Sequence, residues 1–452
     1  MDPIAIWNEL LDGEAAGELC QRLADRMRAR RLHFGGRLLC PFLRPFFLDA
    51  SDEERVRHAA ETLWTLGERI ARLAPGNQAL LDGLGLSAAE IELVEIDPGY
   101  ETASTTARAD AFVLPESLQF AEYNGEAPAG AGYSQRLAEV FAGEAVMARF
   151  RERVDATMYR PVEGLLDALL ASYREWGGTA APPLVAIVDW REVPTFSEFE
   201  LLRDAFAARG VPTVIADPRE LTCELAGGHA VPGLYAAGRR IDLVYRRVLI
   251  NDIVARPEEC RPLIEAYRQR TVCVANSLRC KIPHKKAFFA VLTADSSAHL
   301  FSAAELRLIR QHVPWTVVVQ ERNVMRNGES IDLLPFLRRH RERFVVKPND
   351  EYGGTGVTLG WETGEREWDA ALDRAASRRD GRWVAQEKIT VRREPFPVCE
   401  QGMPAMRDML VDFAPYVFRG RLAGFLTRLS ATGLANVTSG GGQVPAFVIR
   451  AR

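Results

Sequence analysis

Apolar residues recur at helical spacing over 20–30 and again over 59–73, which predicts a mostly helical segment over residues 1–95. The stretch Gly83-Leu84-Gly85-Leu86-Ser87 interrupts it, with Ser87 placed to cap a short helix before Glu92. Two short strands, 112–114 and 119–123, flank Pro115-Glu116-Ser117 and read as a hairpin. One helix is predicted from Ser134 through Phe150. Around Trp176 to Pro183 the composition shifts to Gly, Ala and Pro, marking a linker. Beyond it come continuous apolar runs at 184–188, 213–216 and 241–245, with a helix over 197–208. Such runs suit parallel strands buried on both faces, and their order predicts a small doubly wound α/β unit over 184 to about 280. From about 285 the chain reads as α+β, with strands at 315–320, 344–347, 357–359, 383–387, 409–413 and 422–429.

A length of 452 residues fits about three domains. The net charge of −4 argues against a dedicated nucleic-acid binder, which would show a basic excess. No window offers the roughly 18 apolar residues of a membrane span. The N-terminus lacks a basic start followed by an apolar stretch, so a secretory signal is not expected. The seven cysteines are scattered, with no C-x-x-C and no histidine at ligand spacing. Reduced thiols in a cytoplasmic protein are therefore expected, rather than a zinc site or a disulfide framework.

Four segments carry candidate chemistry. Arg108-Ala-Asp110 and Glu122-Tyr-Asn124 each put two polar side chains on one face of a strand. If the strands pair, two carboxylates and an amide oxygen suit Mg²⁺, and the guanidinium suits phosphate. The pattern equally describes the exposed polar face of a hairpin. Lys347 ends an apolar strand and leads into Gly353-Gly354-Thr355-Gly356, a turn that can hold phosphate through backbone N–H groups and a point charge. It is not a Walker A loop, and an ordinary glycine-rich hairpin turn is the alternative. The strand Trp383 to Gln386-Glu387, returning to apolar Ile389, can offer its backbone to a purine edge or simply leave the core. Arg428-Leu-Ser430, followed by Asn436 to Gly440-Gly441-Gly442, reads as a flap over a site or as a loop. His284 shows no nucleophile or acid partner in sequence, and Arg246-Arg247 reads as a solvated strand end rather than as a pair reaching an acidic substrate.

Together these pieces resemble the circularly permuted ATP-grasp ligases, most nearly the synthetase part of the glutathionylspermidine synthase-like family. Eukaryotic-type glutathione synthetase is a more distant relative. In that family the metal-binding strands come first and the lysine and nucleotide strands last, as here. Arg108-x-Asp110 and Glu122-Tyr-Asn124-Gly-Glu-Ala-Pro128 are similar to its R-x-D and E-[YF]-N-x-[DE]-x-P motifs. Leu243 to Arg247, Phe344 to Gly356, and Asp412 with Arg428 to Gly442 resemble further family segments. The resemblance implies an ATP-grasp fold split across the two ends of the chain. A Rossmann-like preATP-grasp domain would be inserted between them, giving segments 1–180, 181–284 and 285–452.

It further implies Asp110, Glu122 and Asn124 as Mg²⁺ ligands and Arg108 as the catalytic contact to the transferred phosphoryl group. Lys286, Lys347, Gly353, Gly354, Gly356, Gln386, Glu387, Ile389 and Arg428 would bind ATP, with Lys281 and Lys285 as rivals of Lys286. The implied activity joins a small-molecule carboxylate to an amine through an acyl-phosphate. A preceding papain-like amidase domain, and with it a second, hydrolytic activity, is not expected. Segments 150–180 and 390–408 match no glutathione or spermidine pocket, so the family's named substrates do not carry over. The alternative is an inactive nucleotide-binding regulatory or scaffold protein of the same fold. A dinucleotide-dependent oxidoreductase is disfavoured, because no G-x-G-x-x-G follows the first strand of the α/β unit.

Overall fold

The computed structural model describes residues 2–12, 16–225, 231–351, 353–377, 382–431 and 441–450. The candidate flap over 436–440 lies outside the described residues. Strands β1 (Thr106–Val113) and β2 (Leu118–Asn124) form the predicted hairpin, closed by Leu114–Ser117 backbone hydrogen bonds around the Pro115 turn. Both are longer than the apolar pattern suggests, because the polar residues Arg108, Asp110, Glu122 and Asn124 belong to the ladder.

The chain then builds a four-stranded parallel sheet from β3 (Val185–Val188), β4 (Thr213–Ala216), β5 (Leu243–Arg246) and β6 (Cys273–Ala275), in the order β6-β5-β3-β4. Helices Pro161–Glu175 and Phe196–Ala208 bury one face of it through Leu165, Leu169, Phe199 and Phe206. Next comes an antiparallel sheet of β7 (Thr316–Val318), β8 (Phe344–Pro348), β9 (Thr358–Leu359) and β10 (Trp383–Glu387), in the order β7-β10-β8-β9. Its core gathers Leu333, Leu337, Trp368 and Leu372 from the two flanking helices.

The last strands return to the first. β11 (Arg392–Glu400), β12 (Met403–Phe418), β13 (Arg421–Ser430) and β14 (Gly442–Val444) extend the β1–β2 hairpin into one sheet, β14-β13-β12-β1-β2, with β11 also on β12. A further strand, Ala446–Arg450, pairs with Phe46–Asp49 near the other end of the chain. The largest core spans Trp7, Phe46, Leu63, Phe120, Phe413 and Phe447, so residues some 400 positions apart share one apolar interior.

Three expectations change. The helix predicted from Ser134 through Phe150 is two, Ala131–Ala142 and Ala145–Arg153. The break falls at Gly143-Glu144, where the Glu144 carboxylate turns to Arg26 (3.1 Å) and Arg22 (3.4 Å). Cys20 and Cys399 form a disulfide (Cα–Cα 5.9 Å), against the expectation of reduced thiols; the other five cysteines are free. Their pairing depends on β11 lying beside the Ala16–Ala29 helix, which no local spacing encodes. Arg246 and Arg247 are buried rather than solvated (0% and 5% exposed), because the chain following β2 covers the end of β5. Arg246 donates to the Val248 carbonyl (2.6 Å) and pairs with Glu126 (3.5 Å), while Arg247 donates to the Pro128 carbonyl (2.8 Å). Among the described residues no helix is long and apolar enough to cross a membrane.

Candidate active site

A cleft runs between the large sheet and the β7–β10 sheet, enclosing ≈ 1070 Å³ of non-atom space, part of it open to solvent. Asp110, Glu122, Lys286, Lys347, Gly353, Gly354, Gln386, Glu387, Ile389 and Arg428 all line it, and so does Asp412.

Register explains the first cluster. Asp110 stands opposite Glu122, and Arg108 opposite Asn124, so all four project from one face. A bulge after Asp110 leaves Ala121 without a partner on β1 and turns its carbonyl toward Lys347, whose Nζ donates to it at 3.0 Å. β12 continues the same face. The register Phe413↔Ala111 and Tyr416↔Arg108 brings Asp412 alongside, and Arg428 on β13 pairs directly with Asp412.

Four strands thus carry an alternating ladder of charge. Arg108 Nε donates to Asp110 Oδ1 (2.8 Å), and Arg428 Nη2 reaches Asp110 Oδ2 (2.5 Å). Arg428 Nε donates to Asp412 Oδ2 (2.6 Å). Lys286 Nζ lies 3.3 Å from Glu122 Oε2 and donates to the Glu351 carbonyl at 2.6 Å. Burial opposes the charge on Glu122, but Lys286, Lys347, Arg428 and Arg108 outweigh it and hold the carboxyl well below its usual range. Burial pushes Lys347 down to about 8, only partly offset by Glu122. Burial also pushes Asp412 up to about 7, Arg428 opposing and Asp110 reinforcing.

The donor set fits a hard cation. The Asn124 amide donates to both Asp110 Oδ1 (3.2 Å) and Glu122 Oε1 (3.3 Å), so the three side chains bracket one point. Rotating that amide by half a turn presents its oxygen instead, giving two carboxylates and an amide oxygen. Asp412 Oδ1, buried beside them, has no hydrogen-bond partner. Among the described residues no three His, Cys, Asp or Glu side chains form a metal cage on their own. The arrangement therefore suits Mg²⁺, which keeps waters and takes ligand-phosphate oxygens alongside one or two carboxylates.

The glycine turn after β8 is left-handed at Gly353, Gly354 and Gly356 (φ 69°, 78° and 73°), a conformation that a side chain would strain. Gly353 and Gly354 border the cleft, but Gly356 borders a second cavity behind the turn. A Cβ at Gly356 would meet Pro348 at 2.8 Å, so its role is close packing. Gln386 is held by its donation to Thr316 Oγ1 (3.1 Å), and Glu387 pairs with Arg326 and Arg343 at the outer rim.

Lys281 and Lys285 separate from Lys286. Lys281 is fully buried against Glu126 (3.2 Å) and Asp350 (2.9 Å), and Lys285 against Glu90 (2.7 Å) and Asp350 (2.6 Å). Only Lys286 of the three reaches the cleft. His284 does have acidic neighbours, contrary to its sequence reading, with Nε2 3.5 Å from Glu126 and 3.8 Å from Asp350. Those partners come from distant segments, so a local scan misses them. The sequence by itself gives Asp412 no role, and the bulge at Ala121 leaves no compositional mark.

The sequence model of the family described as circularly permuted ATP-grasp type 2 matches residues 115–437. A protein of Frankia casuarinae named "Putative glutamate--cysteine ligase 2-2" is 23% identical over 345 residues, which cover 73% of this chain. The chain spans 36% of that relative's length. The structure of a glutathione synthetase-like effector from Globodera pallida, in its apo form, superposes with a TM-score of 0.61 at 13% identity. That superposition covers 99% of this chain and 98% of the effector, and it shows a shared fold.

Proposed function

Because the chain belongs to the circularly permuted ATP-grasp type 2 family, we propose that it is an ATP-dependent carboxylate–amine ligase working through an acyl-phosphate. The observation that carries this reading is that Asp110, Glu122, Asp412 and Arg428 face Lys286 and Lys347 across one cleft, while Arg108 and Asn124, which do not border it, stand beside them on the same face of the hairpin. ATP binding by itself would not require two arginines interleaved with carboxylates on the side facing Lys286 and Lys347. Glutamate–cysteine ligase and glutathione synthetase are named for relatives, and we carry only the amide-forming chemistry to this chain. Segments 1–180, 181–284 and 285–452 are our proposed division of it.

In this scheme Lys286 and Lys347 bind phosphate oxygens, while the backbone N–H groups of the turn at Gly353 and Gly354 close over them. Gln386, Glu387 and Ile389 line the base. Asp110, Glu122 and Asn124 would hold Mg²⁺, which when bound would supply positive charge against the triphosphate. Arg108 and Arg428 then face the transferred phosphoryl group and stabilise the charge it gains. A substrate carboxylate oxygen attacks the γ-phosphorus and ADP leaves. The amine nitrogen next attacks the acyl carbon, loses a proton and expels phosphate. Activation is needed because a free carboxylate is a poor electrophile and hydroxide a poor leaving group.

The test is ADP release from MgATP in the presence of pools of carboxylates and amines. At least one pool should raise ADP above the level of Lys347→Ala. If none does while MgATP still raises the melting temperature, the nucleotide-binding scaffold reading replaces the ligase.

A further inference from the structure

Asn276 follows β6 at the carboxyl edge of the parallel sheet and is 1% exposed. Its side chain serves the metal hairpin rather than its own sheet. Oδ1 accepts the Thr106 N–H at 2.8 Å and the Thr106 hydroxyl at 3.3 Å. Nδ2 donates to the carbonyls of Thr106 (2.7 Å), Gly125 (2.7 Å) and Glu126 (3.0 Å). Thr106 begins β1 and Gly125 follows the end of β2, and the last rung between these strands is Arg108↔Asn124. Beyond that rung the amide of Asn276 occupies the place of a further peptide pair, meeting both the N–H and the C=O of Thr106 and bridging to Gly125 and Glu126.

Neighbouring contacts fix Asn276 itself. Arg246 Nε donates to its backbone carbonyl (3.4 Å) and Arg246 Nη2 reaches the Glu126 carbonyl (3.5 Å), whereas Ser277 Oγ crosses the same interface outside the hairpin, to the Ala103 carbonyl (3.2 Å), and touches neither strand end. The wall that sets the spacing of Arg108 from Asn124, and two pairs further along Asp110 from Glu122, is therefore supplied by the α/β unit.

We propose that Asn276 is a positioning residue for the cation site: it clamps the open end of the β1–β2 hairpin, so that Asp110, Glu122 and Asn124 meet at one point only when the α/β unit is docked. This rests on the Mg²⁺ reading above. Removing the side chain leaves the Thr106 N–H and C=O and the Gly125 and Glu126 carbonyls buried with a lost partner, and the hairpin end relaxes outward. Residues that orient metal ligands from behind typically change metal affinity about 10- to 100-fold, and that is the expected effect here.

The experiment compares wild type with Asn276→Ala and the milder Asn276→Ser, and uses Ser277→Ala as an interface control. Mn²⁺ binding in the presence of ADP is followed by electron paramagnetic resonance, ADP binding in chelator by calorimetry, and amide exchange along β1 and β2 by mass spectrometry. For Asn276→Ala we expect about 10- to 100-fold weaker Mn²⁺ binding, metal-free ADP affinity within about twofold of wild type, and faster exchange at the Arg108–Asn124 end than at Val113–Leu118. Asn276→Ser should fall between, and Ser277→Ala should match wild type. Unchanged Mn²⁺ affinity, or an equal loss of Mn²⁺ and ADP with exchange raised throughout the sheet, would overturn the proposal. If wild type itself bound no Mn²⁺, the metal reading would fall, and the exchange pattern alone would decide whether Asn276 holds the strand ends.

Discussion

Replacing Lys347 with methionine should move stability and nucleotide affinity in opposite directions. Lys347 is 8% exposed, and among the described residues the Ala121 carbonyl is its one hydrogen-bond partner. An ammonium carries three donors, so two remain available for a ligand. Burial sets its pKa at about 8 against an ordinary 10.5, a difference worth about 3 kcal/mol of native-state penalty at neutral pH. The sign follows from proton uptake. Between pH 8 and 10.5 the unfolded chain binds the proton and the native state has released it, so stability rises with pH across that window. Lys347→Met keeps the length and removes the charge. In chelator at pH 7 the variant should melt higher than wild type, and its advantage should vanish toward pH 10.5. The same change removes charge-assisted hydrogen bonds to phosphate, worth about 1.5–3 kcal/mol, so ADP should bind about 10- to 150-fold more weakly. Calorimetric melting at the two pH values and ADP titration measure both effects. A variant that melts lower at pH 7 yet binds ADP as wild type does would refute the reasoning.

Glu122→Ala combined with Asn124→Ala should abolish the Mg²⁺-dependent part of the thermal shift caused by ATP; an equal shift in wild type and variant would sink the metal assignment. Asp189, 8% exposed, is pushed up to about 6 by burial, with Arg247 opposing. Its native state holds the proton longer than the unfolded chain, so its contribution is lost as pH rises from about 4 to about 6, on the order of 2–3 kcal/mol. Asp189→Asn should flatten the melting temperature across that range. Titrating the denatured, unreduced protein with a thiol reagent should count five thiols rather than seven, given the Cys20–Cys399 bond. Adding reductant should lower the melting temperature, by about 2–4 kcal/mol of stability for a crosslink of this kind.

The sequence by itself determined what is local. Continuous apolar runs announced β3 and β5, because strands buried on both faces admit no polar alternation, and the half-buried edge strand β4 carries a similar run. The step of two between Arg108 and Asp110, and between Glu122 and Asn124, fixed which side chains share a face, and Lys347 with its glycines marked a turn, left-handed at Gly353, Gly354 and Gly356. Tertiary structure alone decided which faces meet. Arg428 reaches Asp110 across 318 positions because β12 lies between β13 and β1. Lys286 enters the cleft while Lys281 and Lys285 do not, because Glu90, Glu126 and Asp350 converge on those two from separate segments. Packing of segments distant in sequence likewise buried Arg246 and Arg247, gave His284 its acids and, elsewhere in the fold, joined Cys20 to Cys399. Periodicity reports how each residue faces its own strand or helix. The partner that closes over that face comes from chain hundreds of residues away, and only the packed core brings it there.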